Sequence, residues 1–220
     1  MKSITIGVFG ATGQTGRNVV SHALKQGFNV RALARNPSKV KIEDANLTVI
    51  KGDFENEAAL KETVKGADFV ICCGGGTYGK GYDKGMMTRF VKRLWPILDA
   101  EQSLEAFLFQ SVFFAPEPNG DNPFILKLLS GPAAYFSGST DMLKDNTDVT
   151  KFMAANKKDS FEFVITRPGK LVGKEGGMSL QASQKLSFDA ISFKDLGAFA
   201  VEAVMDKTLY GTYPFVSFKK

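Results

Sequence analysis

Three glycines near the start of the chain, Gly10, Gly13 and Gly16, stand at the spacing G-x-x-G-x-x-G within Gly10-Ala11-Thr12-Gly13-Gln14-Thr15-Gly16. Residues without a Cβ let a main chain come close to a bulky anion. The chemistry they suit is the grip of a pyrophosphate by backbone N–H groups. Gly10 makes the tight turn, Gly13 lets phosphates near the backbone, and Gly16 lets a helix pack on the preceding strand. Thr12, Gln14 and Thr15 complete the loop as further cofactor-side candidates. A bare strand-to-helix turn needs only one glycine, so the triplet gains weight from what flanks it.

The flanks are the right ones. The apolar, β-branched run Ile4-Thr5-Ile6-Gly7-Val8-Phe9 precedes the glycines, and Val19, Val20, Ala23 and Leu24 follow at helical spacing. A helix that begins there leaves its first N–H groups unpaired and aims its positive dipole end at the turn. Gly27 is a helix stop, and residues 28–34 read as a second strand. Just beyond it an Asp or Glu would accept from a ribose 2′-hydroxyl. This chain has Ala34-Arg35-Asn36-Pro37-Ser38-Lys39 instead. The cations of Arg35 and Lys39 suit a 2′-phosphate, so NADP(H) is the expected cofactor.

The other elements follow in alternation. A third strand, 47–50, leads to Asp53 and Phe54. Asp53 is placed to accept from an adenine amino group, to cap the helix expected over 55–64, or to do both, with Phe54 as a nearby contact. A fourth strand, 69–73, runs into a second glycine loop, 74–81. There Gly74 and Gly75 are cofactor candidates and Tyr78 is a substrate-pocket candidate. A helix over 86–102 is expected to kink or restart at Pro96. The fifth strand, 106–114, places Ser111 near its end, where a hydroxyl could face a nicotinamide. Phe113 and Phe114 would then wall the pocket. A helix over 148–157, a strand over 161–166, a helix over 194–205 and a closing strand over 213–218 complete the pattern.

Strands alternating with helices predict an α/β chain: a single-domain, Rossmann-type, doubly wound parallel sheet with helices on both faces. Residues 1–220 form one NAD(P)-binding domain in this reading, with small substrate-side insertions at about 74–84, 116–147 and 170–190.

Composition narrows the function classes. The net charge of +5 and pI near 9.1 are modestly basic. No Lys/Arg run with interleaved aromatics is present, so no nucleic-acid partner is expected. No 18-residue apolar span is present, so no membrane span is expected. The first strand begins by Ser3 or Ile4, which points to the cytoplasm, or to an organelle if a transit peptide was removed. Cys72 and Cys73 are neighbours on a strand and face opposite ways, as buried thiols rather than a disulfide or metal site. With His22 as the one histidine, neither a metal centre nor a Ser-His-Asp triad is expected.

The chain resembles the atypical short-chain dehydrogenase/reductase group with NmrA-like members. The resemblance runs nearest to flavin reductases of the biliverdin reductase B type. It is carried by the glycine loop, Arg35 with Lys39, Gly52-Asp53, Ser111-Val112-Phe113-Phe114, residues 191–197 and Gly211-Thr212-Tyr213-Pro214. It spans nearly the whole chain. The Tyr-x-x-x-Lys pair of ordinary short-chain dehydrogenases is missing: Tyr135 is followed four places later by Ser139. Arg167-Pro168-Gly169 follows the wider NmrA-like group, and residues 122–146 are longer than in the flavin reductases.

The resemblance implies an NADPH-dependent oxidoreductase passing hydride to a conjugated acceptor such as a flavin, tetrapyrrole or quinone. Orientation replaces an acid residue, and solvent supplies the proton. Ser111 would be the polar group beside the nicotinamide, Phe113 the pocket wall and the Pro168 region a carboxamide contact. The alternative is a non-catalytic NADP(H)-binding regulator or assembly factor with a protein partner. None of these motifs encodes an oligomeric state.

Overall fold

Strands covered on both faces need near-continuous apolar runs. That is how β1 (Thr5–Phe9), β2 (Asn29–Ala34), β4 (Phe69–Cys72) and β5 (Ala106–Gln110) read. The computed structural model describes residues 3–75, 82–118 and 140–219. With β3 (Leu47–Lys51), β6 (Glu162–Pro168), β8 (Leu180–Ser183) and β10 (Phe215–Phe218), these strands form one sheet ordered β3-β2-β1-β4-β5-β6-β10-β8. Every pairing is parallel except β10 with β8. A small parallel pair, β7 (Lys170–Val172) and β9 (Ala190–Ser192), stands apart.

The alternation of side chains across the strands sorts the core into two layers. On one face α1 (Gln14–Lys25) and α5 (Phe193–Met205) bury Ile6, Val8, Ile71, Leu108 and Val164. On the other, α2 (Glu57–Val64), α3 (Met86–Ala100) and α4 (Thr140–Ala155) cover Phe9, Val70, Phe107, Phe109 and Phe163. Trp95 lies within this second layer, edge-on to Phe161, with its indole N–H donating to Asn156 O at 2.8 Å. The doubly wound Rossmann-type expectation holds.

Several local expectations change. Strand β5 stops at Gln110 rather than running to Phe114. Ser111 N still donates to Thr166 O (2.9 Å), after which Ala115 N closes a turn on Val112 O (3.0 Å). Pro116 follows at once, so Phe113 and Phe114 sit on a turn and not on a strand. Helix α2 is capped by Asn56, whose Oδ1 accepts from Ala59 N at 3.0 Å, and not by Asp53. Helix α3 runs unbroken through Pro96: the ring removes one helical N–H bond, and the packing of Leu94, Trp95, Ile97 and Leu98 in the core holds the helix together around it. Helix α4 spans Thr140–Ala155 rather than 148–157, its first half rich in Thr, Asp and Asn that favour caps and turns in isolation.

Candidate functional site

Chain connections leave β1 toward β2 on one side and continue from β4 toward β5 on the other, so the crevice between β1 and β4 is the switch point where ligands settle. Phe9 is in register with Cys72, which brings the two following turns together. Gly10 has φ +83°, and a Cβ there would stand 2.6 Å from Gly74 N. On Gly16 a Cβ would fall 2.1 Å from Gly10 O. Both glycines are therefore demanded by contacts inside the protein. Gly13 is different. It is the N-cap of α1 with an ordinary extended backbone (φ −74°, ψ 169°), and a Cβ on it would meet only Gly10 O, at 3.2 Å. Its freedom from a side chain serves the space in front of the helix.

That helix end suits an anion. No side chain caps it and its first turn holds no acidic residue. The N–H groups of Gln14, Thr15 and Gly16 are first-turn donors that an α-helix leaves without an intrahelical acceptor. Thr12, Gly13 and Gln14 are exposed, whereas Thr15 and Gly16 are buried.

β1 and β2 pair in parallel up to Val8 with Ala32, so the loop after β2, which carries Arg35, leaves the same end of the sheet as the glycine turn. Arg35 and Lys39 are exposed, and among the described residues neither forms an ion pair. Their loop is held by Asn36, whose Oδ1 accepts from Ser38 N (3.2 Å) and Ser38 Oγ (2.8 Å). Beyond β3, Asp53 Oδ1 accepts from Glu55 N (2.9 Å) and Asn56 N (3.0 Å), which braces the turn before α2. Phe54 stacks on Phe90 at 4.1 Å, and a Cβ on Gly74 would come 2.5 Å from its ring. Phe54 thus buttresses Gly74, while a Cβ on Gly75 would have no described residue within 4 Å.

At the end of β5, Ser111 is buried and its Oγ donates to Asn146 Oδ1 at 3.1 Å. Asp145 beside it is also buried and accepts from Tyr82 Oη (2.6 Å), Met87 N (2.8 Å), Thr88 N (2.9 Å) and Thr88 Oγ1 (2.5 Å). It caps α3 from across the cleft. Burial, and then this carboxylate, push the Tyr82 phenol above its usual range. Replacing Asp145 by alanine would strand several donors, and a loss of about 2–4 kcal/mol of stability is expected in urea unfolding. Neither Asp145 nor Asn146 was marked by the sequence: two polar residues in a weak helical pattern carry no local signal.

Phe113 lies 5.2 Å from Phe114, 5.4 Å from Phe188 and 5.5 Å from Phe215, ring centre to ring centre. Beneath them Arg167 is buried with its guanidinium 3.9 Å over the Phe215 ring. It donates to Tyr213 O (2.8 Å) and Ala115 O (3.3 Å) and pairs with Glu117 at 2.7 Å. Burial pulls its pKa down and Glu117 opposes that. Arg167 is thus a strut tying the turn after β5 to β6 and β10. Arg167→Ala is expected to cost about 3 kcal/mol, read as a lowered Tm, because the carboxylate and carbonyls lose their shared cation. Pro168 is the buried end of β6, paired with Val216. Tyr78 and the rest of residues 76–81, and Tyr135 and Ser139 within 119–139, lie outside the described residues.

A family model described as NAD(P)H-binding matches residues 10–207. The chain belongs to this NAD(P)H-binding family. An Arabidopsis thaliana relative, the uncharacterized chloroplastic protein At2g34460, is 26% identical over 94% of this chain and 74% of its own length. A maize isoflavone reductase homolog is 40% identical over 73 residues, which span 29% of this chain and 24% of that protein. Among solved structures, a Streptococcus pneumoniae protein named "a putative NADH-flavin reductase" shares 18% identity at a TM-score of 0.73, covering 99% of this chain and all (100%) of that one. A Rossmann-fold NAD(P)-binding family protein from Shigella flexneri shares 19% identity at a TM-score of 0.69, covering 99% and 94%. At those identities the two structures speak for the fold alone. The uncapped α1, and a Gly13 whose Cβ would meet only Gly10 O among the described residues, fit the dinucleotide that defines the NAD(P)H-binding family. Among the described residues no helix is long and apolar enough to cross a membrane.

Proposed function

We propose that the chain is an NADPH-dependent reductase that passes hydride to a planar conjugated acceptor such as a flavin, a tetrapyrrole or a quinone. The observation carrying this reading is the uncapped, glycine-fronted end of α1 together with two exposed cations in the loop after β2, Arg35 and Lys39, which form no ion pair among the described residues and stand where a ribose-binding carboxylate would otherwise be. Gly10, Gly13 and Gly16 with the donors of residues 12–16 hold the pyrophosphate. Arg35 and Lys39 hold the 2′-phosphate, Asp53 meets the adenine with Phe54 behind it, and Gly74 and Gly75 flank the middle of the cofactor. NADPH, when bound, supplies the hydride, and water supplies the proton that completes reduction of the acceptor. Ser111 lies beside the nicotinamide, the Pro168 region meets its carboxamide, and Phe113, Phe114 and Tyr78 form the acceptor pocket.

The name of the pneumococcal neighbour supports a flavin as acceptor. The whole of residues 1–220 serves as one binding unit in this reading, and the name of the Arabidopsis relative supports an organelle rather than the cytoplasm as its site. A second reading, an NADP(H)-binding regulator without turnover, is favoured by the burial of Ser111. NADPH oxidation with FMN, a quinone and dichlorophenolindophenol in turn separates the two. Turnover with at least one acceptor is expected, and tight NADPH binding with no turnover on any of them would move the assignment to the regulator.

A further inference from the structure

The hydrogens at the end of β5 can be placed one by one from donor and acceptor chemistry. Met142 O only accepts, so Asn146 turns its Nδ2 toward it at 3.0 Å and its Oδ1 toward Ser111. Oδ1 only accepts, so the single hydroxyl hydrogen of Ser111 points at Asn146 across 3.1 Å. Ser111 and Asn146 are 3% and 5% exposed, so bulk water does not compete for that hydrogen. Thr150 Oγ1 donates to Asn146 O at 2.9 Å on the same helix. The backbone N–H of Ser111 is spent on Thr166 O at 2.9 Å. What Ser111 still has to offer is the lone pairs of its hydroxyl oxygen.

We infer that Asn146 is a positioning residue that fixes Ser111 as a hydrogen-bond acceptor and removes it as a source of protons. The orientation follows from the hydrogen bonds alone; its consequence for substrate rests on the reading of Ser111 as facing the ligand. A group that meets Ser111 must bring its own N–H or O–H. A carboxamide NH₂ or the ring N–H of a conjugated heterocycle does so, and the oxygen of a simple ketone or aldehyde does not. Within the proposed acceptor class the site therefore favours the N–H-bearing members, flavins and tetrapyrroles, whose proton comes from water, over quinones and over simple carbonyl compounds that need an acid at the developing alkoxide.

Two measurements test this, one without turnover. In proton NMR of the wild-type chain, a Ser111 hydroxyl resonance protected from exchange with water is expected, assigned by its loss in Ser111→Ala and abolished by Asn146→Leu. A Ser111 hydroxyl that exchanges as fast in wild type as an exposed serine overturns the orientation, whatever the enzyme assays give. In FMN-dependent NADPH oxidation, Asn146→Leu is expected to lower kcat about 10-fold with unchanged NADPH affinity, and to cost nothing further in the Ser111→Ala background. Equal losses in both backgrounds would make Asn146 merely structural and overturn its positioning role. Ser111-dependent reduction of a simple ketone at a rate matching FMN would overturn the acceptor class. If wild type turns over nothing, the reductase proposal falls, and the NMR result still decides the orientation.

Discussion

Replacing Arg35 by alanine is expected to weaken NADPH binding about 10- to 100-fold while NADH binding changes less than about two-fold, measured by competition titration at fixed salt. The selectivity arises because only NADPH carries the 2′-phosphate, and a charge-assisted hydrogen bond to it is worth about 1.5–3 kcal/mol. Arg35 is exposed, so solvent screening places the effect toward the lower end at physiological salt. Lys39, three residues past the capping Asn36, keeps part of the attraction in the variant. The loss should therefore shrink as salt rises. Equal losses for both dinucleotides would reject the 2′-phosphate role of Arg35.

The glycines separate fold from binding even more sharply. Gly13→Val is expected to reduce dinucleotide affinity more than about 100-fold with only a small change in Tm. Its backbone is one that any residue adopts, and its Cβ would meet a single carbonyl oxygen, at 3.2 Å. The valine methyls would then occupy the phosphate space. Gly16→Ala should do the reverse. Its Cβ would lie 2.1 Å from Gly10 O, a backbone atom that cannot step aside without moving α1 off β1. A loss of about 3 kcal/mol or more of stability follows. Chemical unfolding and fluorescence titration of NADPH, run on both variants, read the contrast. A Gly13→Val protein that binds NADPH like wild type would show that the phosphates lie elsewhere.

These contrasts also explain how much could be read from sequence. The glycine turn, Arg35 and the strand-helix alternation were legible because each depends on neighbours in the chain: a missing Cβ, a helix start, a loop directly after a strand. The doubly wound sheet followed from the same local signals. The limits of β5 were not legible, because the turn that places Phe113 and Phe114 is pinned by Arg167, more than fifty residues away, through Ala115 O and Glu117. Asp145 and Asn146 were invisible for a related reason. Their value lies in Thr88, Tyr82 and Ser111, which come together only once α3, α4 and β5 are packed. Strands β7 to β9 are three or four residues long and show no clean alternation of buried and exposed positions, so they carry no strand signal.

The central claim is that main-chain amides at the front of α1 hold two phosphates while the loop after β2 holds a third. Isothermal titration of the folded wild-type chain with NADPH, NADP⁺ and NADH tests it most directly. The account predicts one NADPH per chain, with NADH bound at least about ten-fold more weakly. Absence of binding heat for both NADPH and NADP⁺, confirmed by unchanged Tm at saturating ligand, would contradict it and remove the reductase and the regulator together.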